Sequence, residues 1–291
     1  MSYRTALSEV LTSVVGPSVE ATGVQGRFPR AAVTALGRAG LLGLTVSTEL
    51  GGGGLGLPEA VEVVTRTARV CPATAAVLQS HYTATAVIDT YGGPWVRREI
   101  AAGRHLASLA LAEAETEVEV KVETGTETEM ESEREPRNSG PPAKPQLLPP
   151  RSAATRSGGV VALRARKQRV VAAGEADTYL WSSRPLTAPA PDGLTLWAVP
   201  AHAPDLFVPA RPSGAGPRGS ATSTVFADPV LVPAEAMLGR DGAGSDIVLR
   251  TVLPWLLELR AAAEALRPPA VDAVDLSFGS TRRPAGSLTA S

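Results

Sequence analysis

The chain has 291 residues, enough for about two domains of ordinary size. Hydrophobic residues make up 44% and charged residues 20%, and the net charge is −1, so no general electrostatic pull toward nucleic acid or anionic lipid exists. One cysteine (Cys71) excludes an internal disulfide framework and a cysteine-built metal centre, and three scattered histidines (His81, His105, His202) argue against a histidine-rich one. No run approaches the ~18 apolar residues of a membrane helix. The N-terminus, MSYRTALSEV, carries Glu9 and lacks the long apolar stretch of a secretory signal. The expectation is a soluble, cytoplasmic protein with no nucleic-acid and no membrane partner.

The first hundred residues read as helices. Leu7, Val10, Leu11 and Val14 share one helical face, and Gly16-Pro17 is read as the stop. Phe28-Pro29 opens a second helix with Ala32, Val33 and Leu36 inward, closed at Gly40. The run Gly51–Gly54 is read as a flexible turn. Pro58 and Pro72 start a third and a fourth helix, and a short one ends at Gly103. His81, within small and apolar neighbours, reads as a satisfied, partly buried histidine. Cys71 reads as an inert small hydrophobe.

Beyond Gly103 the period changes. Segments 106–111, 159–165, 194–199 and 222–227 are short, hold several β-branched or aromatic residues, and are bounded by Gly, Pro, Asp and Ser, which is the signature of strands. Helical spacing returns over 243–267 through Ile247, Val248, Val252, Leu256, Leu259 and Ala263. That helix is apolar nearly all round and needs a covering surface on this chain, a second copy or a partner. Helices, then strands, then a helix make an α+β layering.

Two stretches do not fit a packed domain. From Glu113 to Glu135 there are ten Glu against one Lys and one Arg, a net −8 that leaves +7 on the rest of the chain. With the Gly, Pro and Ser that follow to Ser152, this insertion is expected to stay solvated and disordered. It lacks the ligand spacing and fixed glycine of a calcium loop. The tail 268–291 opens on Pro268-Pro269 and shows no periodicity.

No nucleophile-elbow Gly-x-Ser-x-Gly, no P-loop and no dinucleotide-type Gly-x-Gly-x-x-Gly is present. Six segments in order nevertheless resemble the acyl-CoA dehydrogenase family. They are Leu36–Leu44 (LGRAGLLGL), Val46–Leu55 (VSTELGGGGL), the helix through Ser80-His81 to Tyr91-Gly92, Leu109–Glu113 (LALAE), Arg166–Asp177, and Gly216–Ser220 followed by Val225–Pro233 and Leu238-Gly239. The resemblance covers about residues 20–112 and 156–267.

It implies a layout of four parts. These are an N-terminal helical domain (1–104), a middle antiparallel β-barrel domain (105–240) with the disordered insertion 113–152, a C-terminal helical remnant (241–267) and a disordered tail (268–291). Only the first helix of the family's C-terminal bundle is expected. Members of the family are FAD flavoproteins that desaturate an acyl thioester between Cα and Cβ, usually as oligomers. Carried over by position, Leu111, Ala112, Val170 and Val171 are the candidate cofactor-binding residues, through their backbones.

This chain departs from the family pattern at the same place. Ala112 and Val171 stand where the family has threonines, and Arg169 stands where it has an aromatic ring. No catalytic residue is assigned. Glu258 and Glu264 on the last helix read as a solvated face, and Arg218 reads as part of a structural turn. Two function classes remain. One is an acyl-CoA dehydrogenase-like oxidoreductase with weak or absent catalysis as this chain alone, working as a homo-oligomer or with a complementing subunit. The other is a non-catalytic, degenerate homologue, either a binding or scaffold partner or a decayed gene product.

Overall fold

The structure is a computed structural model that describes residues 2–113, 152–187, 193–210 and 216–264. Apart from its end residues Glu113 and Ser152, the insertion read as disordered lies outside the described residues, as does the tail 268–291.

Helix α1 (Tyr3–Val10) continues through one π turn, Leu11–Val15, into α2 (Gly16–Gly23). The stop read at Gly16-Pro17 is therefore corrected. In a regular helix the Pro17 ring would strike the carbonyl four residues back. Here the Gly16 N–H bonds the Leu11 carbonyl, five residues back, and the wider turn makes room. The extra residue shifts the inward stripe by one position. Leu7, Val10 and Leu11 are buried, and then Val15 is buried in place of Val14.

Helix α3 (Arg30–Arg38) buries Ala32, Val33 and Leu36. Its last turn meets the chain leaving a later helix at Gly103, so closely that a Cβ on Gly37 would lie 2.1 Å from the Gly103 carbonyl oxygen. The glycine run at 51–54, read as a turn, is tied by backbone hydrogen bonds to the segment 43–46. The N–H groups of Gly53, Gly54 and Leu55 donate to Gly43, Val46 and Leu44 at 3.0, 2.8 and 3.1 Å. Helix α4 (Leu57–Ala68) follows, capped where Glu59 accepts the Gly56 N–H at 2.9 Å. Helix α5 (Pro72–Tyr91) is buried over most of its length and runs through the middle of the molecule, with Cys71 buried at its N-cap. Helix α6 (Pro94–Ala101) completes the helical part.

Eight strands follow among the described residues. They are β1 (Ala107–Ala110), β2 (Ala153–Ser157), β3 (Val160–Val170), β4 (Thr178–Ser183), β5 (Thr195–Pro200), β6 (Leu206–Phe207), β7 (Ser223–Pro233) and β8 (Met237–Leu238). They form two four-stranded sheets, ordered β1-β4-β5-β8 and β2-β3-β7-β6. All pairs are antiparallel except β1–β4, which is parallel. The expected α+β order of a helical part followed by antiparallel strands is therefore present. The strands make two sheets and not a closed barrel. One isolated bridge, Glu113 to Lys167, links their backbones among the described residues.

The last helix repeats the device of the first. Helix α7 (Gly244–Ile247), a π turn (Val248–Val252) and α8 (Leu253–Glu264) are continuous, with Pro254 two residues beyond the π turn. Ile247, Val248, Val252 and Leu259 are buried against the rest of the chain, with α8 packed on α4 and α5. Gln79 of α5 donates to the Leu259 carbonyl at 2.8 Å. Among the described residues no helix is long and apolar enough to cross a membrane.

Candidate functional site

Strand β1 lies at the edge of its sheet, and an uncovered edge leaves backbone N–H groups without partners. Two side chains of α5 meet that need. His81 Nδ1 accepts the Ala107 N–H at 3.1 Å, and Ser80 Oγ accepts the Leu109 N–H at 2.9 Å. The other imidazole nitrogen, Nε2, faces the Leu42 carbonyl at 2.9 Å. Only a ring protonated at Nε2 and bare at Nδ1 satisfies both bonds. Burial pushes the imidazole pKa down to about 4, which fixes it as neutral. The reading of His81 as satisfied stands, and the ring is fully buried. Beside it Tyr82 donates its hydroxyl to Leu41 O at 2.7 Å.

From Leu109 a hydroxyl relay runs toward the candidate cofactor residues. Ser80 and Ser108 lie 2.9 Å apart, and Ser108 donates to the Val171 carbonyl. Ser80 therefore donates to Ser108, so each hydroxyl proton has one acceptor. On the far side of β1 the Gln168 N–H donates to Ala112 O at 2.8 Å. The structure thus brings all four sequence-predicted residues together: Leu111 and Ala112 where β1 ends, Val170 and Val171 where β3 ends.

The backbone there is bent. A bulge interrupts β3 between Lys167 and Val170. Arg169 and Ala172 both have φ of 53°, a left-handed conformation unusual without glycine, and they flank Val170-Val171. The Ala172 and Ala173 N–H groups are held by the carbonyls of Ser220 and Ala221 at 3.0 and 2.9 Å. Val170 is fully buried, main chain included.

Under this junction sits a group that the sequence reading did not single out. Lys167 has no solvent exposure, and its ammonium donates to Glu113, to Ser182 O at 2.8 Å and to Ser182 Oγ at 2.9 Å. Three N–H donors thus meet three acceptors. The charge also lies 5.4 Å from the centre of the Trp181 ring. Burial pushes the Lys167 pKa down to about 8, against the pull of Glu113. Glu113 in turn accepts from the Ser152 N–H at 3.2 Å and from the Ser152 hydroxyl. Strand parity was the available signal. Lys167 shares its side of β3 with Val161 and Leu163, both fully buried.

Two open clefts lie elsewhere. One of about 440 Å³ is lined by Thr155, Arg156, Thr187, Met237 and Asp241 among others. Asp241 accepts from Leu186 N, Thr187 N, Thr187 Oγ1 and Thr195 Oγ1 at 2.6–2.9 Å. Partial burial pushes its carboxyl up, but these bonds outweigh it and hold the group below the ordinary carboxylate range. It is a loop anchor with its acceptors in use. The second cleft, about 300 Å³, is lined by Tyr91, Arg240, Asp246 and Arg250 among others. Arg218 lies in a turn packed on Gly26 and Thr22, as a structural turn requires. Glu258 is exposed on α8, and the side chain of Glu264 lies outside the described residues.

Comparison with known proteins gives a consistent answer. Residues 2–103 match the family model of the acyl-CoA dehydrogenase N-terminal domain. No curated protein matches the chain. The butyryl-CoA dehydrogenase of Megasphaera elsdenii superposes with a TM-score of 0.70 at 19% identity, covering 90% of this chain and 63% of that one. A probable acyl-CoA dehydrogenase of Mycobacterium abscessus gives 0.70 at 21%, covering 90% and 64%. FMN-bound TdsC of Paenibacillus sp. A11-2 gives 0.69 at 18%, covering 90% and 60%. The chain thus spans less than two thirds of the length of these structures. Residues 2–103 are thus similar to the N-terminal domain of acyl-CoA dehydrogenases, and the described fold is similar to that of solved acyl-CoA dehydrogenases and related flavoproteins.

Proposed function

We propose that this protein is a flavin-dependent oxidoreductase of the acyl-CoA dehydrogenase type, acting on an acyl thioester. The observation that carries the reading is that the ends of β1 and β3, which bear Leu111-Ala112 and Val170-Val171, are tied by the hydrogen bonds Gln168 to Ala112 and Ser108 to Val171. The side chains of these four residues offer a flavin no hydrogen bond, so any contact would have to come through main-chain groups. Ala112 and Val171 have no hydroxyl, and the Ala112 and Val171 carbonyls are already engaged by Gln168 and Ser108. Bound flavin would supply the hydride acceptor. FAD is the form that the family resemblance implies.

Each missing side-chain hydrogen bond weakens binding by about 1 kcal/mol. The proposed affinity is therefore low compared with the family. Substrate oxidation needs a carboxylate free to take the α-proton. Glu113, next to the candidate backbone, is held by Lys167 and Ser152. We place that base on a second copy or a complementing subunit. Leu249 and Leu257, 37% and 56% exposed on the last helix, offer apolar surface for such a contact.

The test is to add FAD or FMN to the purified chain and pass it through gel filtration. Flavin absorbance should appear on rapid mixing and be largely lost on the column. Butyryl-CoA with an artificial electron acceptor should give slow turnover. A chain that takes up neither flavin supports the second reading, a non-catalytic homologue, which Ala112, Arg169 and Val171 at the departed positions favour.

A further inference from the structure

We infer that the Lys167–Glu113 pair is a positioning device for the backbone that meets the cofactor: it sets how the end of β1 and the bulged end of β3 face each other. This rests on the flavin reading proposed above. Glu113 directly follows Ala112, and Lys167 directly precedes Gln168, whose N–H donates to the Ala112 carbonyl. The pair and that hydrogen bond are thus neighbouring rungs of one short antiparallel contact, the only bridge between the two sheets among the described residues.

Three other features make the pair a fixed point. The Lys167 ammonium also holds the end of β4 through Ser182 O and Ser182 Oγ. The Glu113 carboxylate also holds Ser152, and the Ser152 carbonyl accepts the Arg184 N–H at 2.9 Å. Four chain segments therefore converge on two charges. Immediately beyond Lys167 the chain enters the bulge and adopts the left-handed turn at Arg169. A buried hydrophobic side chain at 167 would fill the same space without fixing direction, whereas three directed hydrogen bonds fix it.

The pair is distinguishable from a merely stabilising one. Lys167→Met leaves Glu113 facing an apolar group and should lower both overall stability and flavin affinity. Lys167→Met combined with Glu113→Gln removes both charges, so no orphan carboxylate remains and overall stability should largely return. The direction set by the pair stays lost.

Three measurements on the full chain decide it: urea unfolding, amide hydrogen exchange, and titration with FAD and with FMN. In the double variant, exchange at Gln168 and Ala172 should rise about tenfold while the amides of α5 stay protected, and any flavin Kd should rise by about the same factor. If the double variant recovers wild-type exchange at Gln168 and Ala172 together with its stability, the pair is a packing element and the inference falls. It falls equally if Lys167→Met alone leaves that exchange unchanged. Should the wild type bind neither FAD nor FMN, the flavin reading fails by itself, and the exchange data still decide whether the pair sets the junction.

Discussion

His81 shows how one side chain couples folding to acidity. Its folded pKa of about 4 lies below the ordinary 6.5, because burial excludes the charged form. Unfolded, the ring takes up a proton near its ordinary value. Stability that depends on His81 is therefore complete above pH 6.5 and is lost as pH falls toward 4, by about 3 kcal/mol in all. His105, also held below its ordinary value by burial, acts in the same direction. Urea midpoints should fall between pH 7 and pH 5, and His81→Gln should flatten that slope while lowering stability at pH 7. An unchanged slope in the variant would show that the proton is taken up elsewhere.

The sequence placed His81 correctly as a satisfied ring, because a lone histidine among small and apolar residues has few other fates. It could not name the partners. Leu42 and Ala107 lie 39 and 26 residues away. Lys167 was hidden for a related reason. Strand parity marks it as inward, but its partner Glu113 stands 54 residues earlier, at the head of an acidic run that by itself reads as solvent-facing.

At the scale of elements, periodicity found the helices and four of the strands, and failed where local chemistry overrode it. Both internal prolines, Pro17 and Pro254, stand two residues beyond a π turn, and the first turn moves the buried stripe by one place. A strict 3.6-residue reading therefore marks Val14, where the structure buries Val15. Strand β4 escaped notice because all six of its residues are buried and no alternation marks it. The contact between α3 and the turn after α6 was illegible as well, since the sequence shows Gly37 only inside the second helix and Gly103 only as a helix end. A Cβ on Gly37 would stand 2.1 Å from a backbone oxygen that no side-chain rotation can move aside. Gly37→Ala should lower stability by about 2–4 kcal/mol. Chemical unfolding measures this, and a cost under 0.5 kcal/mol would mean that the two backbones separate easily.

At the scale of the molecule, the helical part and the two sheets share cores. One cluster joins α1, α3, α4 and α5 to β3, β4, β5 and β7, and a second joins α5 and α6 to β4, β5 and the last helix. The order of helices and strands was legible from composition and period. Whether the strands would close was not, because closure depends on pairings far apart in sequence. Residues 114–151 begin and end at touching points, Glu113 and Ser152. Loop closure entropy grows only slowly with length. Replacing 114–151 by a short Gly-Ser connector should therefore keep the circular dichroism spectrum and shift the thermal midpoint by only a few degrees. A large fall would show that those residues supply packing.

The same clasp means that the covalent link between Glu113 and Ser152 adds little to what already holds them. Helix α5 covers the edge of β1, β1 pairs with β4, and Lys167 reaches back to Glu113, so the two sides are joined at several places without the intervening peptide. A protein built this way can lose its continuity and keep its shape. Residues 1–113 and 152–291, made as separate chains in one cell, should copurify as a pair of complementing fragments.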